Sequence, residues 1–147
     1  MHRLLPPQLF LLSLIAMLCL HRWLPMQHWL PAGRIAPGLL VVLGGAGITL
    51  WHALLFKRLN TNIKTFNPPD QLVTAGLFRF TRNPMYLGFS MALLGCALLL
   101  GSASPFLVVL AFVMITDRWY IPFEERAMAA RFGQDYQHYC NRVRRWL

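Results

Sequence analysis

Three long stretches of the chain carry no Lys, Arg, Asp or Glu: residues 4–21, 35–56 and 83–116. The first has its apolar core from Leu9 to Leu20. The second is 22 residues long, enough to cross a hydrocarbon layer of about 30 Å. The third is 34 residues long, and as one helix it would reach about 51 Å, too far for a single crossing. Gly101-Ser102-Ala103-Ser104-Pro105 interrupts it. Gly and Ser end a helix, and a proline in the first turn starts the next. The pattern therefore predicts a tight helical hairpin over about 84–100 and 105–121, its second arm closed by Asp117-Arg118 and Pro122. On the second helix, Gly44 and Gly47 predict a small-residue packing face. The polar tail, 123–147, opens with Glu124, Glu125, Ala127, Met128, Ala129 and Ala130, which favour a helix. The expected fold is an all-α integral membrane protein with four transmembrane helices, a C-terminal helical hairpin and a cytoplasmic amphipathic tail helix. It forms one domain over 1–147. Residues 1–56 supply two helices, and 57–147 supply a polar loop, the hairpin and the tail.

Composition changes this picture little. Charged residues are 13% of the chain, about half the usual share of a soluble domain, which excludes an ordinary water-soluble globule. Fourteen Lys and Arg against five Asp and Glu give a net charge of +9. Because the apolar residues lie in unbroken runs, that charge suits an anionic leaflet better than nucleic acid. Arg3 before the first run resembles a signal peptide, but His21-Arg22-Trp23-Leu24-Pro25 follows it instead of a small-x-small cleavage site. The run is read as a retained helix, with Trp23 and Trp29 as interfacial anchors. Cys19, Cys96 and Cys140 are widely spaced and form no CxxC, so neither a disulfide framework nor a metal site is expected.

Cations set the orientation. The 57–82 loop has Lys57, Arg58, Lys64, Arg79 and Arg82; the tail has Arg126, Arg131, Arg142, Arg144 and Arg145; the 22–34 loop has Arg22 and Arg34. The positive-inside rule puts both termini, the 57–82 loop and the tail in the cytoplasm, with a bacterial inner membrane as the expected location. A hairpin then brings the segment before the third helix and the segment after the fourth to one membrane face. An amide, a phenol, several guanidiniums and two carboxylates gather there, an arrangement that suits one ligand from water and another from lipid.

The run from Thr74 through Gly76, Phe78, Arg82-Asn83-Pro84-Met85-Tyr86 to Gly88 resembles the signature of the isoprenylcysteine carboxyl methyltransferase family, whose superfamily includes membrane phospholipid N-methyltransferases. Glu124-Glu125, Phe132-Gly133, Tyr136, Tyr139 and Val143-Arg144-Arg145 are similar to that family's second block. The resemblance covers about 57–147; residues 1–56 resemble it only as two apolar spans. It implies a membrane methyltransferase using S-adenosylmethionine held near the cytoplasmic face. It implies cofactor contacts at Gln71, Leu72, Val73, Phe78, Arg82, Asn83, Pro84, Met85, Tyr86 and Glu124. Asn83 stands where the eukaryotic branch has histidine. Tyr120 stands where that branch has an arginine for the substrate carboxylate, and the nearest guanidinium is Arg118. These departures point away from prenylcysteine as the acceptor.

The residue types suit this chemistry independently. Glu124 or Glu125 can receive the ammonium of the cofactor's methionine end, and Arg79 or Arg82 its carboxylate. Tyr86 or Phe78 offers an aromatic face to a sulfonium. Leu72, Val73 and Met85 can form an apolar slot for adenine. Methyl transfer to a carboxylate needs no base; an amine or thiol must lose a proton, with Glu125 the first candidate. Arg118 is the candidate for an anionic acceptor. Plainer readings stand beside these: helix-start charges for Glu124 and Glu125, lipid-phosphate contacts for Arg79 and Arg82, an interfacial aromatic for Tyr86, and headgroup binding for Arg144-Arg145-Trp146. A non-catalytic assembly or lipid-binding protein is the alternative function. A reductase ranks lower, since no GxGxxG fingerprint is present.

Overall fold

The computed structural model describes residues 4–26, 33, 35–59 and 71–147. The expectations for Trp29, Arg34 and Lys64 lie outside these residues. The described chain is all-helical: α1 (Pro6–Trp23), α2 (Ile35–Arg58), a short 3-10 turn (Gly76–Arg79), α3 (Pro84–Leu100), α4 (Ser104–Ile115), a π turn (Thr116–Tyr120) and α5 (Ile121–Arg142). Among the described residues, two helical runs are long and apolar enough to cross a membrane, Ile35–Arg58 and Ser104–Arg142; Pro84–Leu100 is a shorter apolar helix. Leu11, Leu12, Ile15 and Leu18 of α1, Leu39, Leu40, Leu43 and Leu50 of α2, and Leu107, Leu110 and Met114 of α4 are exposed. So broad an outward display of large apolar side chains is untenable in water and natural in lipid.

The helix ends follow from local chemistry. Pro6 opens α1, and the Leu5 N–H donates to Gln8 Oε1 at 2.8 Å, which satisfies one of the donors a helix start leaves over. Gly101 closes α3 at φ +78°, its N–H bonded to Ala97 O at 3.1 Å, a left-handed cap that glycine adopts without strain. Pro105 falls in the first turn of α4. The link between α3 and α4 is tied to the end of α1 and the residues after it: Ala103 N–H donates to Met26 O at 2.8 Å, and His21 Nδ1 lies 2.7 Å from Ser102 Oγ. Gly101→Ala is expected to cost about 1 kcal/mol through backbone strain, read as a fall of about 3 °C in the Tm of the purified chain.

Two features differ from the sequence reading. Pro122 does not end the fourth helix. The backbone widens into the π turn, where Ile121 N–H reaches back to Thr116 O, and the helix runs on into α5. The wider turn gives room for a proline ring that would otherwise meet the carbonyl one turn back. Thr116 Oγ1 lies 2.9 and 3.0 Å from Phe112 O and Val113 O, carbonyls that the Thr116 N–H also reaches, a back-bonding that tends to bend helices. Second, α2 meets α3 through Gly38 and Gly45, not through the Gly44–Gly47 face. A Cβ on Gly47 would meet open space, whereas one on Gly45 would stand 2.5 Å from Ala92 N and Gly88 O. Gly38 and Gly45 are seven residues apart, two turns on one face, and Gly88 and Gly95 repeat that spacing on α3. The α1–α3–α4 core is Met17, Phe89, Leu93, Ala97 and Phe112, with Phe10 stacked on Phe89 at 4.7 Å.

Candidate functional site

Polar side chains from distant parts of the chain meet where α3 begins and the π turn runs into α5. Tyr86, in the first turn of α3, is 1% exposed. Its hydroxyl donates to Glu124 Oε1 at 2.9 Å, joining the segment before the hairpin to the segment after it. Glu124 lies in the first turn of α5, where the helix runs on from the π turn, so it is not at a free helix start. Asn83 precedes α3 but does not cap it with its side chain. Its Nδ2 instead donates to Arg145 O at 3.0 Å, and Thr81 Oγ1 donates to the same carbonyl at 3.1 Å. Arg82 N–H donates to Arg144 O at 3.0 Å. Arg144 and Arg145 thus lie against residues 81–83.

Beside this seam is an ion cluster. Glu125 Oε1 accepts from Arg82 Nη2 at 2.9 Å, and Glu125 Oε2 from Arg145 Nη2 at 2.6 Å. Arg145 Nη1 reaches Asp117 Oδ1 at 3.3 Å, and Trp146 Nε1 donates to the same oxygen at 2.9 Å. Hydrogen bonds to Glu125 raise the Arg145 pKa above the ordinary arginine value, against the opposing pull of partial burial. Arg118 lies apart: its side chain is 86% exposed, and its nearest carboxylate is that of Asp117 at 3.8 Å. The sequence reading missed Arg145 and Trp146 as members of the site and gave them to headgroups. The scarcity of acids was the available signal, since Asp117 and Glu125 needed cationic partners, but nothing local named Arg145. Arg145→Gln is expected to lower Tm by about 3 °C, roughly 1 kcal/mol for a partly screened pair. Arg144→Gln, whose role here is a backbone carbonyl, should leave Tm unchanged.

An apolar wall lies next to the cluster. Phe78, in the 3-10 turn, is buried between α2 and α5. Its ring lies 6.5 Å from Trp51, 5.8 Å from His52 and 5.9 Å from Phe56. Gly76 begins that turn at φ +63°, where a Cβ would run into the Trp51 ring. Tyr139 OH donates to Phe78 O at 2.7 Å, and burial pushes the Tyr139 pKa up to about 12. Burial, then the neighbouring Cys140, also raises the Tyr136 pKa. Leu72 and Val73 pack on this wall, while Gln71 is exposed. Pro84 is fully buried, and Met85 packs between the helix core and Tyr86.

Beside the ion cluster is a cleft of about 500 Å³, lined by Arg82, Glu125, Arg126, Tyr136 and Cys140 among others, within the usual range for ligand sites; Tyr86, Glu124, Leu72, Val73 and Phe78 lie outside its lining. Gly133, at φ +51° and ψ −120°, breaks α5, so residues before and after the break flank the cleft. Arg82 lies at its edge with a buried Nε that has no hydrogen-bond partner among the described residues. A buried donor left over in this way is costly unless a ligand takes it. The structure thus brings Arg82, Asn83, Tyr86, Glu124 and Glu125 together and sets Leu72, Val73 and Phe78 on the adjoining wall. Gln71 and Arg118 stand outside the cluster.

A family model described as phospholipid methyltransferase matches residues 33–135. The chain is 33% identical over 129 residues to protein-S-isoprenylcysteine O-methyltransferase B of Arabidopsis thaliana, covering 80% of this chain and 59% of that one. It is 31% identical over 111 residues to a probable protein-S-isoprenylcysteine O-methyltransferase of Oryza sativa subsp. indica, covering 72% and 56%. An uncharacterized protein of Haemophilus influenzae is 36% identical over 63 residues, 43% of this chain and all of that one. The chain spans about half the length of the plant relatives it matches. No solved structure matches it.

Proposed function

The chain belongs to the phospholipid methyltransferase family, and on that premise we propose that it transfers a methyl group from S-adenosylmethionine to a lipid-soluble acceptor. The observation that carries this reading is the hydrogen bond from Tyr86 to Glu124, beside a cleft edged by the unpartnered Nε of Arg82. The residues present fit the methyl donor. Glu124 would receive its ammonium, Arg82 its carboxylate, and Leu72, Val73 and Phe78 the apolar adenine. When bound, S-adenosylmethionine supplies an electrophilic methyl group.

The chain's own work in this reading is positioning and the exclusion of water. Tyr86 holds the Glu124 carboxylate in one orientation, and Asn83, through Arg145 O, holds the start of α3 against Arg145. Glu125, with both oxygens engaged by Arg82 and Arg145, anchors the ion cluster. It serves as base for an amine acceptor only when one of those bonds is released. Arg118, 86% exposed and outside the cluster, does not support an anionic acceptor.

In the same reading α1 to α4 are four crossings of a bacterial inner membrane, with the cleft facing the cytoplasm. Lys57, Arg58, Arg79, Arg82 and Arg126 cluster at the end where α2 finishes and α3 begins, against Arg22 at the other described end.

The test incubates the full chain with S-[methyl-³H]adenosylmethionine and a whole lipid extract. Label is expected in the lipid phase, and alkali sorts the acceptor: a volatile, base-labile methyl marks a carboxylate, and a stable one an amine or thiol. A folded chain that transfers no label to any lipid would leave only the non-catalytic, lipid-binding alternative.

A further inference from the structure

Two guanidiniums compete for one carboxylate in the ion cluster, and they do not hold it equally. Arg145 approaches Glu125 with two prongs: its Nε donates to Oε1 at 3.2 Å and its Nη2 to Oε2 at 2.6 Å. That is the geometry in which an arginine holds a carboxylate most tightly. Arg82 reaches the same carboxylate through Nη2 alone, at 2.9 Å from Oε1. Its Nε, the second prong of a like fork, is buried and has no hydrogen-bond partner among the described residues. Arg82 thus has a donor to spare beside a carboxylate whose second oxygen Arg145 already fills.

Arg145 is held in that place by its surroundings. Its Nη1 reaches Asp117 Oδ1 at 3.3 Å, an oxygen that Trp146 Nε1 also binds at 2.9 Å. Its carbonyl accepts from Asn83 Nδ2 and Thr81 Oγ1. Arg82 N–H donates to Arg144 O at 3.0 Å, so the strand of chain that carries Arg82 is paired with the one that carries Arg145, and both guanidiniums converge on Glu125. The charges balance: Arg82 and Arg145 stand against Asp117 and Glu125. Loss of Arg145 would leave Glu125, 20% exposed, with Arg82 as its one cation. A half-buried carboxylate short of counter-charge is costly, and closing the Arg82 fork on it would use up the spare Nε.

From this arrangement we propose that Arg145 is a positioning residue for the methyl donor: by filling the fork of Glu125 it keeps Arg82 Nε free for the carboxylate at the donor's methionine end. The proposal deepens the donor site described above and rests on the place of Arg82 in it. Arg82 and Glu125 line the cleft beside the ion cluster and Arg145 does not, as suits a group that acts through its neighbour. A purely structural Arg145 would make the further loss of Glu125 add to the damage. An Arg145 that keeps Arg82 free requires the reverse, since without Glu125 no carboxylate captures Arg82.

The test is calorimetry of the full chain in detergent with S-adenosylhomocysteine, comparing Arg82→Gln, Arg145→Gln and the double variant Arg145→Gln with Glu125→Gln. Arg145→Gln should weaken binding by about fivefold, as for the loss of one hydrogen bond to the ligand. The double variant has lost two members of the ion cluster and should melt no higher than Arg145→Gln. It should nevertheless bind within about twofold of the unaltered chain, the margin within which independent effects add. Recovery of affinity without recovery of Tm separates positioning from support of the fold. The proposal is overturned by unchanged affinity in Arg145→Gln, or by a double variant that binds no better than Arg145→Gln. In either case weaker binding by Arg82→Gln leaves the donor site standing. Full affinity in Arg82→Gln, or no binding by the unaltered chain, removes the donor's place at Arg82 and this proposal with it.

Discussion

Gly45→Leu is expected to break the α2–α3 pair and to lower the Tm of the purified chain by about 10 °C. A Cβ at this position would stand 2.5 Å from Ala92 N and Gly88 O. Both are backbone atoms of α3, so no side-chain rotation relieves the contact and the helices must part. Forced parting of a close seam costs about 3 kcal/mol, at the upper end for overpacking, which sets the size of the shift. In lipid the apolar effect does not draw helices together, so close backbone packing carries much of their association. Gly47→Leu provides the control: it faces open space and should leave Tm within a degree or two. Thermal unfolding of the two variants in one detergent checks this, and equal stability would mean that α2 does not pack on α3 through Gly45.

Glu124→Ala is expected to weaken binding of S-adenosylhomocysteine by at least about tenfold while the helices stay folded. The variant removes the carboxylate assigned to the ligand's ammonium, and a hydrogen bond to a charged group is worth about 1.5–3 kcal/mol. Tyr86→Phe should act in the same direction and more weakly, because it removes the hydroxyl that orients Glu124 and keeps the ring. Isothermal calorimetry gives both affinities, with Tm as the check on folding. Unchanged affinity in both variants would remove Tyr86 and Glu124 from the donor site.

Much of the helical plan was legible because its signals are local. The Gly101–Pro105 cluster marks a helix end and a helix start within five residues, and α3 ends at Leu100 as that cluster requires. Once α3 and α4 fold back on one another, residues near 83–86 and near 124 arrive at the same end, and Tyr86 meets Glu124. What escaped depends on register and on partners far along the chain. Pro122 reads as a stop because its ring disrupts a regular α-helix; the π turn that accommodates it is supported by Thr116 and by the packing of α4. Gly44 and Gly47 have the spacing of a packing face, but the rotation of α2 about its axis is decided by where α3 presents Gly88 and Gly95. Arg145 lies in a basic run like many that meet lipid headgroups, and only the fold brings it between Glu125 and Asp117.

In the proposed function the start of α3 and the start of α5 form one binding site for the methyl donor. Hydrogen–deuterium exchange of the full chain, with and without S-adenosylhomocysteine, tests it most directly. Slower exchange is expected in peptides covering 71–86 and in those covering 121–126, with protection rising together in both as ligand concentration increases. Slower exchange in one region alone, or ligand-dependent change confined to other helices, would contradict it.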